Sequence, residues 1–94
     1  MHPDHIIFLR KLLARDFTTF SFTDGRGIPL EEDAIPLESA QEYTLAGAIL
    51  TDLFSREVLD QQQHGAGLFQ TENGPLLVLE GTTQAALRQM TMPN

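Results

Sequence analysis

Two Asx-Gly dipeptides, Asp24-Gly25 and Asn73-Gly74, stand between runs of apolar, aromatic and β-branched residues. These residue types tolerate the backbone of a tight hairpin, so the runs flanking each pair are predicted to be neighbouring antiparallel strands. In the first unit, FTTFSFTD sets Phe20 and Phe22 on one face at period two, and IPLEEDAI does the same for Ile28 and Leu30. Pro29 confines its strand to a sheet edge or to the strand's opening residues. Residues 17–33 are therefore predicted as a β-hairpin. In the second unit, HGAG at 64–67 is a glycine-rich break, after which LFQT and PLLVLEG read as two strands. The unbroken apolar run PLLVL fits a strand covered on both faces.

Helical periodicity fills the rest. Within residues 4–15, Ile6, Leu9, Leu12 and Leu13 share one arc, Pro3 suits a helix start, and Arg10, Lys11 and Arg15 lie towards the end that favours cations. A long central helix is predicted from Leu37 to about Gln62, opening with the Ser39/Glu42 spacing of a capping box. On it Tyr43, Ala46, Ile49, Leu50, Leu53, Phe54 and Val58 fill roughly half the circumference. Gly47, costly in a helix interior, borders this arc beside Ala40 and points to a close helix neighbour. For the tail TTQAALRQMTMPN, a short helix capped by Thr82 or Thr83 and carrying Ala86, Leu87 and Met90 is favoured over a last strand. The expected fold class is α+β: helix, β-hairpin, long central helix, β-hairpin and short C-terminal segment, an antiparallel sheet with helices packed on it. Residues 1–94 are read as one folding unit.

Charge narrows the function classes. Six Lys plus Arg against thirteen Asp plus Glu give a net charge of −7, a field that repels phosphate backbones and anionic lipid headgroups. Neither nucleic acid nor membrane is expected as a partner. The chain has no cysteine, so it lacks a disulfide framework, a thiol nucleophile and a Cys-based zinc site. No apolar run approaches the roughly 18 residues of a membrane span, and the N-terminus places acids where a signal peptide is basic. The expected location is the cytoplasm.

The chemical candidates are sparse. His2 and His5 are three apart, a spacing that can set two imidazoles on one face as metal ligands, but no third ligand has a matching spacing. His64 has no evident nucleophile or orienting group as a partner. The Gly-x-Gly pairs at 25/27 and 65/67 lack the remaining residues of a nucleotide fingerprint and read as turns. Glu31, Glu32 and Asp33, with Glu38 and Glu42 near in sequence, read as a solvated edge able to steer a basic partner. No catalytic group, cofactor or metal is expected. The alternative is a small-ligand sensor or minor enzyme using a pocket near the 64–67 loop.

The order of these elements resembles the Roadblock/LC7 family of small dimeric domains. FTTFSFTDGRGIPLEEDAI looks like that family's first two strands, SAQEYTLAGAILTDLF its Ala-rich central helix, and GLFQTENGPLLVLEG its third and fourth strands. The family usually adds a fifth strand and a C-terminal helix; thirteen residues follow Gly81 here, so the likeness is to a shortened member. The resemblance implies a homodimer with paired central helices and sheets joined edge to edge. It also implies a non-catalytic regulator or scaffold of a small Ras-like GTPase or a motor complex. The central helix has more apolar arc than one sheet contact needs. Tyr43, Ala46, Gly47, Leu50, Leu53, Phe54 and Val58 are accordingly the expected dimer or partner interface.

Overall fold

The computed structural model describes residues 1–92. Pro93 and Asn94, the end of the predicted tail, lie outside the described residues. Helix α1 spans Pro3–Leu13, strands β1 and β2 span Thr18–Thr23 and Pro29–Pro36, and helix α2 spans Ala40–Ser55. Strands β3 (Ala66–Thr71) and β4 (Gly74–Leu79) and helix α3 (Gly81–Thr91) complete the order. The four strands form one antiparallel sheet in the order β1-β2-β4-β3, so the two hairpins join through β2 and β4.

Both hairpins form where the Asx-Gly pairs place them. In the first, Asp24 Oδ1 accepts from the amides of Arg26 and Ile28, and the left-handed residue is Gly27, at φ 81°. In the second it is Gly74, at φ 110°. The strand β2 runs to Pro36, three residues beyond the predicted hairpin, because Ala34, Ile35 and Pro36 pair with Val78, Leu77 and Leu76 of β4, with Ala34 and Ile35 fully buried. Pro29 is its first residue and faces β1 alone, where a missing outward donor costs nothing.

The helix boundaries differ more from expectation. Ser39 caps α2 by accepting from the Glu42 amide at 3.2 Å, but Glu42 returns its carboxylate to the amide of Glu38 at 2.7 Å. The helix ends at Ser55 and not near Gln62. There the amide of Val58 donates to Leu53 and that of Glu57 to Phe54, a Schellman closure with Glu57 left-handed at φ 61°. The turn returns Leu59 to the core, 1% exposed. The tail is helical as favoured, but Glu80 occupies the N-cap position. Thr82 and Thr83, the expected caps, instead donate from their hydroxyls to the carbonyls of Gln63 and Gly65 at 2.7 and 2.8 Å, tying α3 to the 63–65 loop.

All three helices contribute to one core on one face of the sheet. Leu9, Leu12 and Leu13 of α1, Ala46, Ile49, Leu50 and Leu53 of α2, and Leu87 of α3 meet Ile35, Leu77 and Leu79. Arg15, just past α1, donates from Nη1 and Nη2 to the two oxygens of the Glu42 carboxylate at 2.8 and 2.6 Å. It thereby fastens α1 to the start of α2. Arg10 bonds the Thr91 carbonyl and fastens α1 to the end of α3. Among the described residues, the other face of the sheet carries no helix of this core.

Candidate functional site

Strand register defines the helix-free face. Residues opposite one another in an antiparallel ladder share a face, so Phe20 lies with Glu32, Phe22 with Leu30, and Ala34 with Val78 and Gly67. Leu76 and Phe69 complete it. Three rings gather there, with centroids 4.9 Å apart for Phe20 and Phe69, 5.7 Å for Phe20 and Phe22, and 6.4 Å for Phe22 and Phe69. The residues beneath are small. A Cβ on Gly67 would meet the Phe69 ring at 2.9 Å, so this glycine is what lets the ring lie flat over the strand. The cluster buries Val78 and Ala34, yet Phe69 and Leu30 each remain 38% exposed.

A second feature lies along β3, an edge strand. The Glu80 amide donates to the Gly65 carbonyl, so Gly67, Phe69 and Thr71 turn their backbone groups towards β4 by alternation. Ala66, Leu68 and Gln70 consequently turn theirs outward. Between this edge and α2 runs a cleft of 340 Å³, lined by Leu50, Phe54, Gly47, Ala66 and Leu68, with Thr51, Ser55 and Gln61 as its polar members. The Ser55 hydroxyl is committed to the Thr51 carbonyl at 2.7 Å. The side of α2 bordering the cleft continues into exposed small residues, Ala48, Thr44 and Ala40.

The predicted interface residues divide. Ala46, Leu50 and Leu53 are buried in the chain's own core, and Leu50 also lines the cleft. Residues of α1 and α3 enter the same core, so part of this arc is used within the chain. Gly47 does have a close neighbour, but it is Leu68 of β3, whose Cδ1 stands 3.0 Å from where a Cβ would sit, and not another helix. Tyr43 and Phe54 are half-buried against the core. Val58 is 48% exposed and lies beyond the end of α2. Phe20, Phe22 and Phe69 were not among the expected interface residues. The period-two pairing of Phe20 with Phe22 was the available signal.

His2, His64, Glu42 and Asp33 among the chemical candidates make structural hydrogen bonds. His2 is the N-cap of α1, its Nδ1 accepting from the Asp4 amide at 3.1 Å. His64 Nδ1 accepts from the Asp60 amide at 2.9 Å and closes the turn before β3. The hydrogen bonds from Arg15 lower the Glu42 pKa to about 2 against the opposing effect of burial. Glu31 and Asp33 sit on the helix side of β2, where Asp33 accepts from the Gln84 amide group at 3.1 Å. Among the described residues, no three His, Cys, Asp or Glu stand close enough to hold a metal ion. No described helix is long and apolar enough to cross a membrane.

No protein-family model, curated protein or solved structure matches this chain.

Proposed function

We propose that this protein is a non-catalytic protein-interaction module acting as a homodimer in the cytoplasm. Following its likeness to the Roadblock/LC7 domains, we further propose that it regulates or scaffolds a small Ras-like GTPase. The observation that carries the dimer is the β3 edge. Ala66, Leu68 and Gln70 offer outward amides and carbonyls beside an apolar cleft, on a strand with no lysine or proline to guard it. A second β3 laid antiparallel would satisfy those groups, and the small residues of α2 would allow the helices to approach. The non-catalytic reading is supported by the structural use of His2, His64, Glu42 and Arg15.

Light scattering tests the dimer. Wild type should run as a dimer, and Gln70→Pro combined with Thr51→Arg should give a monomer with an unchanged circular dichroism spectrum. A wild-type monomer at high micromolar concentration overturns the dimer. Retention of purified Ras-like GTPases, loaded with GDP or a GTP analogue, on the immobilised protein tests the partner class; failure of every one removes it.

The cleft favours a second reading, an apolar small ligand held between α2 and β3. A monomeric wild type whose Tm rises with an apolar small molecule, but not after Ala66→Phe, would favour this over the dimer.

A further inference from the structure

The helix-free face of the sheet combines two properties that suit one kind of occupant. It is apolar and aromatic at its centre, where Phe20, Phe22 and Phe69 cluster and Phe69 and Leu30 stay more than a third exposed. It is also acidic at one end. Glu32 lies opposite Phe20 in the register, and Glu80 follows β4 in the alternation with its carboxyl group resting over Gly65. The strands TTFSFT, PLEEDAIP, AGLFQT and GPLLVL contain no lysine or arginine, and neither Glu32 nor Glu80 takes part in an ion pair among the described residues.

We propose that this face docks an amphipathic helix of a partner protein, its apolar stripe on the three phenylalanine rings and a bordering lysine or arginine on Glu32 and Glu80. An antiparallel sheet can leave one face to water, and such a face is then usually polar. Here the three described helices lie on the opposite side, and the open face carries an aromatic cluster with Phe69 and Leu30 each 38% exposed, which an apolar helix stripe would cover. Charge selects between occupants. A second copy seated face to face brings no strand lysine or arginine to these carboxylates in either orientation, and in one orientation sets them against each other, whereas a basic border gives each an opposite charge. The face uses the side chain of Phe69 on β3, whereas the dimer uses the outward backbone groups of Ala66, Leu68 and Gln70, so helix binding and oligomeric state are read separately.

The test uses the full chain, ¹⁵N-labelled, and a synthetic amphipathic leucine/lysine helix as probe, with its leucine/glutamate counterpart as control. The lysine probe should bind and shift the amide signals of Phe20, Glu32, Gly67 and Phe69, while the glutamate probe should not bind. Phe69→Ser should weaken binding roughly tenfold or more, as for a buried aromatic anchor. Glu32→Gln should weaken it severalfold, whereas Asp52→Asn, which removes an equal charge on exposed α2, should leave it unchanged. Should Phe69→Ser fail to fold, the wild-type shift map and Glu32→Gln carry the test. No binding, shifts confined to the helices, or equal losses for Glu32→Gln and Asp52→Asn would overturn the proposal. So would wild-type self-association through this face that Phe69→Ser abolishes.

Discussion

The two faces of this sheet are both apolar but are closed by different means. On one, Ile35, Leu77 and Leu79 are at most 1% exposed, sealed by leucines from three helices. On the other, Val78 and Ala34 are buried under aromatic rings of neighbouring strands, and those rings are themselves left partly in water. The unbroken run in β4 thus serves two environments at once. Strand alternation decides which residues share a face; what covers that face is decided elsewhere in the chain. The helix-covered face holds the fold together, and the ring-covered face keeps apolar surface available.

Substitutions should separate the two faces by size of effect. Leu79→Ala removes a fully buried side chain from the helix-covered core and should cost about 2–5 kcal/mol in a denaturant titration. Phe69→Ala on the open face should cost less, about 1–2 kcal/mol, because part of the ring is already hydrated. An equal or larger loss for Phe69→Ala would break the comparison.

The clasp between α1 and α2 belongs to the covered face and gives it a pH signature. The folded pKa of Glu42 is lowered from 4.5 to about 2 by Arg15, so the folded state binds fewer protons than the unfolded one across that interval. Its contribution is full above about pH 4.5 and disappears as pH falls towards about 2. The stability difference between wild type and Glu42→Gln should therefore be largest at neutral pH and shrink through this window in parallel urea titrations.

The smallest effect concerns the turn that returns Leu59 to the covered face. Glu57 is left-handed, a conformation glycine adopts without a Cβ penalty, so Glu57→Gly should stabilise by about 0.5–1 kcal/mol in the same assay. Destabilisation would mean that its side chain contributes more than its backbone costs.

Local signals were legible in the sequence. Asp24-Gly25 and Asn73-Gly74 marked the hairpins, Pro3 and Ser39 marked helix starts, and the tail periodicity marked α3. The end of α2 was hidden because its left-handed residue is a glutamate, while Val58 and Leu59 continue an apolar pattern beyond the last helical turn. The wide apolar arc of α2 does not by itself reveal whether its neighbours come from the same chain or from a second copy. Leu50 and Leu53 belong to the core that α1, α3 and the sheet also enter. The ring cluster was half legible. Phe20 and Phe22 share a face by spacing alone, but bringing Phe69 to them depends on β2 pairing with β4, a long-range contact with no local signature.

Amide hydrogen exchange along β3 tests the interaction-module account most directly, because the strand supplies its own control. Gly67, Phe69 and Thr71 face β4 and should be protected at every protein concentration. Ala66, Leu68 and Gln70 face outward, and pairing with a second copy should protect them at high concentration and release them on dilution. Exchange of these three amides at an unprotected rate at all concentrations, with their neighbours protected throughout, would contradict pairing at this edge.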